Sequence, residues 1–186
     1  MRKISSNTVC PVEGSVGLDN KLRRLFQNPT KILKPYISPD MSVMDFGCGP
    51  GFFTIDIARM LGDKGKVTAV DLQQGMLDKL SKKIKATCLE KKIRLHKCEE
   101  KSIHLTDTFD FILAFYMIHE VPDQGALFTE FKSLLKDNGK ILIVEPKFHV
   151  PQQKFDQMEE KIREIGFDIT DGPKLPFSRS LLLKNR

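Results

Sequence analysis

Val43-Met44-Asp45-Phe46-Gly47-Cys48-Gly49-Pro50-Gly51-Phe52-Phe53 decides the fold. A short apolar run ends in an acid, three glycines follow at alternate positions, and a helical pattern starts behind them. The segment reads as a strand, a glycine turn and a helix N-terminus. A second strand, Lys66 to Val70, follows and runs into Asp71, 20 residues beyond Gly51. Strand, turn, helix and second strand make a nucleoside-binding βαβ unit.

Each part has a physical reason. Glycine lacks Cβ, so it takes positive φ and lets the backbone come close to a ligand. The unpaired amides of the next helix favour an anionic group. An acid at the tip of the second strand can accept two hydrogen bonds from a ribose diol. The third glycine separates two ligand classes. A dinucleotide site wants G-x-G-x-x-G, with glycine at position 52. This chain has Phe52 there and Gly51 one place earlier.

Moving outward, the sequence alternates strands and helices. Strand one spans Ser42 to Phe46, helix A Phe52 to Leu61, helix B Gln74 to Leu89 and strand three Ile93 to Lys97. Leu77, Leu80, Ile84 and Cys88 form the apolar stripe of helix B, with lysines elsewhere. Phe109 to Phe115 is a continuous apolar run, suited to a strand buried on both faces. Helix D covers Gln124 to Leu135, Asp137-Asn138-Gly139 makes a turn, and Lys140 to Val144 is strand five. His149 to Ile165 holds a lead-in and helix E, which stops at Gly166. Two short strands close the chain, Phe167 to Thr170 and Ser180 to Leu183. Residues 1–20 read as an irregular arm. Leu22, Leu25 and Phe26 mark one short helix, and Thr30 to Tyr36 another.

Asp45-Phe46-Gly47-Cys48-Gly49-Pro50-Gly51, followed by Ala69-Val70-Asp71-Leu72-Gln73-Gln74-Gly75-Met76, resembles the class I S-adenosylmethionine-dependent methyltransferases. Within them it is similar to the small-molecule branch that includes the ubiquinone/menaquinone-biosynthesis type. The resemblance is good over residues 40–148 and holds only in outline beyond. It implies an α/β, Rossmann-like fold: a mostly parallel seven-stranded sheet, an antiparallel C-terminal hairpin and helices on both faces. It implies a single domain over residues 1–186, with residues 1–40 lying over the cofactor and substrate pocket.

The resemblance also implies S-adenosylmethionine as cofactor and assigns roles. Gly47, Gly49 and Gly51 line its amino-acid end, and Asp45 helps hold its ammonium. Asp71 takes the ribose hydroxyls. Leu72 and Met76 flank the adenine, or are ordinary core. Cys98 and Glu99 touch the adenine edge, with Glu99 chosen over Glu100 by counting from the strand. Phe46, Cys48, Phe52 and Phe115 complete the expected cofactor site. Strand C-termini form the crevice of an open α/β sheet, which places Tyr116, His119 and Glu120 near the reacting methyl. His119 reads as a general base, or as a histidine that bonds a loop or shapes the pocket. Glu120 suits a cationic acceptor. His149 and Arg179 are further residues that could reach the crevice.

Composition bounds the rest. The chain has 186 residues, 40% hydrophobic and 29% charged, with a net charge of +6. That is an ordinary globular composition, large enough for a substantial core. No apolar run approaches the roughly 20 residues that cross a bilayer, and the N-terminus lacks a signal-peptide core, so the expected location is cytoplasmic. Cys10, Cys48, Cys88 and Cys98 form no C-x-x-C pair, and no metal is expected. No Asn/Asp-Pro-Pro-aromatic motif follows strand four, and no cysteine stands there as a cytosine-directed nucleophile. These departures disfavour DNA and RNA and leave a small-molecule acceptor, for a monomer or homodimer. The rivals are an RNA O- or ring-N-methyltransferase, a non-catalytic adenosylmethionine-binding partner protein, and a nicotinamide-dependent reductase. The glycine missing at position 52 argues against the last.

Overall fold

The computed structural model describes Arg24 and residues 26–186. The expected arm over residues 1–20 and the helix marked by Leu22 and Leu25 lie outside the described residues. Arg24 and Phe26 are helical.

Helix α1, Pro29–Leu33, starts where Asn28 Oδ1 accepts the Lys31 amide at 3.1 Å, with proline at the first helical position. It ends earlier than the expected Tyr36, whose ring instead stacks on Phe111 at 5.8 Å. The strands are β1 (Ser42–Phe46), β2 (Lys66–Asp71), β3 (Ile93–Lys97), β4 (Phe109–Phe115), β5 (Leu135–Pro146), β6 (Phe167–Asp171) and β7 (Ser178–Asn185). The helices between them are α2 (Thr54–Met60), α3 (Gln74–Ile84), α4 (Gln124–Leu134) and α5 (Gln152–Ile165).

The seven strands form one sheet in the order β3-β2-β1-β4-β5-β7-β6. The first five are parallel, and β7 is antiparallel to both β5 and β6. This is the Rossmann-like class I methyltransferase arrangement with its closing hairpin. The period-2 pleat divides the core. Val43, Phe111 and Leu113 face a layer holding Ile57 of α2 and Leu77, Leu80 and Ile84 of α3. Met44, Ile112 and Ala114 face the other layer, with Phe128 and Phe131 of α4 and Met158 and Ile162 of α5. Both faces are covered, so the central strands read as unbroken apolar runs.

Several boundaries differ from the sequence reading. Helix α2 begins at Thr54, because Gly51, Phe52 and Phe53 are spent on the turn. Helix α3 stops at Ile84, and Ala86 takes φ +60°, so Cys88 leaves the apolar stripe and is exposed. Strand β5 begins at Leu135. It pairs with Phe109 there and with Phe111 only from Lys140, so Asp137-Asn138-Gly139 bulge out between the two pairings.

Candidate active site

The glycine turn is tied back to the sheet. The amides of Gly47 and Cys48 both donate to the carbonyl of Val70, at 2.9 and 3.0 Å. Gly47 has φ +72°, and a Cβ there would stand 2.7 Å from Cγ of Met117. Gly49 has φ +52° and open space where its Cβ would be. Gly51 has φ +91°, and a Cβ would meet Cδ1 of Leu80 at 2.4 Å. Two of the three glycines therefore serve close packing, and one opens onto empty space.

Asp71 closes the same turn from β2. One carboxylate oxygen accepts the Gly49 amide at 2.8 Å, and the other accepts the Gln73 amide at 2.9 Å. Burial pushes its pKa above the usual carboxylate value, and the amides of Gln73, Gly49 and Leu72 work against that. Asp45, at the C-terminal end of β1, accepts the Thr54 hydroxyl at 2.5 Å.

A cavity of about 670 Å³ opens at the C-terminal edge of the parallel strands. From the glycine turn, Asp45, Phe46, Gly47, Cys48, Gly49 and Phe52 line it. Asp71, Leu72 and Met76 line it after β2, and Cys98 and Glu99 after β3. Phe115, Tyr116 and Glu120 line it at the end of β4. Gly51 does not line it, because its place is against Leu80. His119 does not line it either, and neither do His149 and Arg179.

Other lining residues escaped the sequence reading. The wall beyond β3 includes Ser102 and Ile103, and Glu130 of α4 holds it in place. Its carboxylate accepts the Ile103 amide at 2.9 Å and the Ser102 hydroxyl at 3.0 Å. The backbone joins in: the Cys98 amide donates to Asp71 and the Glu99 amide to Ser102. The Glu99 side chain is exposed and lies 3.2 Å from His104. Burial raises the Cys98 thiol to about 11, helped by the charge of Asp71, and burial also raises Cys48 well above its usual value. Neither thiol carries appreciable thiolate near neutrality, so neither is a built nucleophile.

Four rings run along one wall. Phe52 meets Phe53 at 5.2 Å, Phe53 meets Phe115 at 4.3 Å, and Phe115 meets Tyr116 at 4.6 Å. Tyr116 takes φ +60°, and its hydroxyl bonds Ser178 of β7 and accepts from Nε2 of Gln27 at 2.7 Å. The chain then makes a 3-10 turn, Ile118–Glu120. Within it, Nδ1 of His119 donates to Oε2 of Glu145 at 2.5 Å, and the Ile118 amide donates to Oε1 at 2.9 Å. Glu145 is buried at the end of β5. Nothing local in the sequence marks Glu145 as a partner, since it stands 26 residues beyond His119.

An adenosyl compound fits these residues. Gly49 leaves open space, Asp71 offers remaining lone pairs, and Leu72 and Met76 supply apolar surface nearby. Among the described residues, seven acidic side chains and one lysine, Lys101, line the cavity. In a chain of net charge +6, that lining suits a cationic ligand and opposes a polyanion. No group of three His, Cys, Asp or Glu that could hold a metal occurs among the described residues, and none of their helices is long and apolar enough to cross a membrane.

A family profile described as a methyltransferase domain matches residues 37–174. A demethylmenaquinone methyltransferase of Lactobacillus johnsonii is 33% identical over 132 residues, which is 70% of this chain and 52% of that protein. The chain spans about half the length of the curated relatives it matches. The crystal structure of a SAM-dependent methyltransferase from Aquifex aeolicus superposes with TM-score 0.85 at 24% identity, covering 94% of this chain and 98% of that one. The [4+2]-cyclase SpnF shares the fold with TM-score 0.66 at 19% identity, over 80% of this chain and 58% of that one.

Proposed function

We propose a methyl-transfer reaction for this chain, which belongs to the class I S-adenosylmethionine-dependent methyltransferase family. The observation that carries the proposal is Asp71 bridging the amides of Gly49 and Gln73 at the rim of an acid-lined cavity. Asp71 would hold a ribose diol there, and Asp45 an ammonium. Leu72, Met76 and Cys98 would enclose a purine, with Glu99 at its edge. Bound adenosylmethionine supplies a methyl already activated by a positively charged sulfur, so that the electron pair of the acceptor displaces a neutral thioether.

The protein contributes alignment, which supplies much of the rate in such a displacement. The rings of Phe53, Phe115 and Tyr116 make an apolar wall beside the glycine turn, suited to an aromatic or otherwise apolar small acceptor. The relatives named for demethylmenaquinone support that class. The excess of acids in the cavity speaks against RNA, whose phosphates would be repelled. His119 and Glu120 follow directly on this wall, and Glu120 lines the cavity where an acceptor proton would leave.

Thermal unfolding with adenosylmethionine, adenosylhomocysteine or NAD(H) tests the cofactor. A ligand at 100 times its dissociation constant stabilises by about 2.7 kcal/mol, roughly 5–10 °C for a domain of this size. Stabilisation by the adenosyl compounds alone supports the reading, and stabilisation by NAD(H) alone overturns it. The same glycine turn and Asp71 would also serve a chain that binds the adenosyl compound without transferring methyl. An acceptor screen with labelled adenosylmethionine separates the two.

A further inference from the structure

Glu145 is a buried acid that the proposed chemistry does not use. Its side chain has 1% of its surface exposed and does not line the cavity. Both of its oxygens are nevertheless committed to one short stretch, the turn after β4. Oε1 holds the Ile118 amide and Oε2 holds the His119 ring. The residue just before that turn, Met117, packs its side chain against Gly47, where no Cβ would fit. Gly47 belongs to the turn expected to take the amino-acid end of the cofactor. Two short steps therefore connect a buried carboxylate on β5 to the cofactor cradle on β1.

We propose that Glu145 and His119 are a positioning pair for the adenosyl cofactor: together they hold the turn that presses Met117 onto Gly47 and so set the shape of the glycine cradle. The inference rests on the reading of this cavity as an adenosyl site. The pair acts through Met117 and touches no ligand itself.

The pair is also open to pH. His119 is half-buried, and Nε2 makes no hydrogen bond among the described residues. Four ionisable groups bear on it or on its partner. Glu145 bonds it from β5, and Glu120 lies on its own turn. His149 stacks on its ring at 5.8 Å from the segment after β5. Arg179 of β7 pairs in register with Glu145, but its guanidinium is spent on Gln152 and the Val150 carbonyl. As imidazolium, His119 grips Glu145 with a charge-assisted bond. As neutral imidazole it keeps only a weaker one. The cradle is therefore held more firmly at lower pH.

The test is calorimetric titration with adenosylhomocysteine, on the wild type, His119→Gln and Glu145→Gln, from about pH 5.5 to about pH 8.5, the span in which imidazole titrates. The wild type should lose affinity about fivefold across that span, the lower end of couplings between linked sites. Both variants should lack that loss and bind throughout like the wild type at high pH. The Glu145→Gln amide can still accept the Ile118 amide, but it no longer favours an imidazolium. If it fails to fold, His119→Gln decides alone, since that residue is only half-buried. Imidazole NMR of His119 adds a readout that needs no ligand: its pKa should fall in Glu145→Gln. A wild type that binds, with the same pH profile in His119→Gln, overturns the pair. A wild type that does not bind at all overturns the adenosyl reading of the cavity, and the pair with it.

Discussion

Thr54 gives its hydroxyl proton to Asp45 across 2.5 Å, and both residues are buried. The first residue of α2 thus orients the acid near the C-terminal end of β1. A buried carboxylate with too few donors is costly, so the bond both stabilises the fold and fixes the orientation of the Asp45 carboxylate. Thr54→Val keeps the shape and removes the donor. It should cost about 1–3 kcal/mol in denaturant unfolding. It should also weaken adenosylhomocysteine binding in calorimetry. Unchanged affinity would remove Asp45 from the cofactor site.

Gly51 and Gly49 should separate stability from binding. Gly51→Ala forces a side chain into φ +91° and into Leu80. It should lower stability by about 2 kcal/mol, a fall in Tm of about 4–8 °C. Gly49→Ala meets nothing within 4 Å, so its cost is conformational strain alone. Its larger effect should be on ligand affinity, since the added methyl points into space a ligand would fill. Thermal melts and calorimetry on both variants read the difference.

Asp71 should make cofactor binding weaken in acid. Burial raises its pKa in the folded chain, so the folded state holds this proton more tightly than the unfolded one. Its contribution to stability is thus best at low pH and is lost as pH rises through the raised value. Ribose hydroxyls bind the carboxylate, not the acid, so binding should release a proton and fail as pH drops below that value. Asp71→Asn should weaken adenosylhomocysteine binding by about tenfold or more, because an amide NH₂ would face the Gly49 or Gln73 amide.

His119 shifts the stability of the fold with pH in the same direction as Asp71, through a different cause. Burial pushes its pKa down, but the hydrogen bond and charge of Glu145, with a smaller push from Glu120, outweigh it, and the net shift is upward from 6.5. A raised histidine stabilises fully below its unfolded pKa and loses that contribution as pH rises through the folded one. Melting curves of wild type and His119→Gln should therefore differ most below about pH 6.5 and converge at alkaline pH. A gap that does not change with pH would mean that His119 stabilises by packing alone.

Local signals carried much of this architecture. The acid, the alternate glycines and Asp71 are close in sequence, so β1, β2 and the cradle between them could be read directly. The apolar run of β4 announced a strand covered on both faces. What could not be read depends on distant pairs. Gly51 looks like a ligand-facing glycine until Leu80 is placed beside it. His119 looks like a crevice base until Glu145 takes its ring from another strand. The Asp137-Asn138-Gly139 turn became a bulge because Leu135 had already joined Phe109. Each of these outcomes was decided by packing across the sheet, which no single stretch of sequence records.

The Tyr116 hydroxyl, shared between Gln27 and Ser178, gives the protein its own optical probe. The chain contains no tryptophan and only two tyrosines. One, Tyr36, lies in stacking contact with Phe111, and the other lines the cavity. At wavelengths longer than phenylalanine absorbs, the absorbance and emission of the chain thus come from these two phenols. A ligand that reaches the Tyr116 wall will perturb one of the two, so occupancy of the site can be followed by light with no label attached.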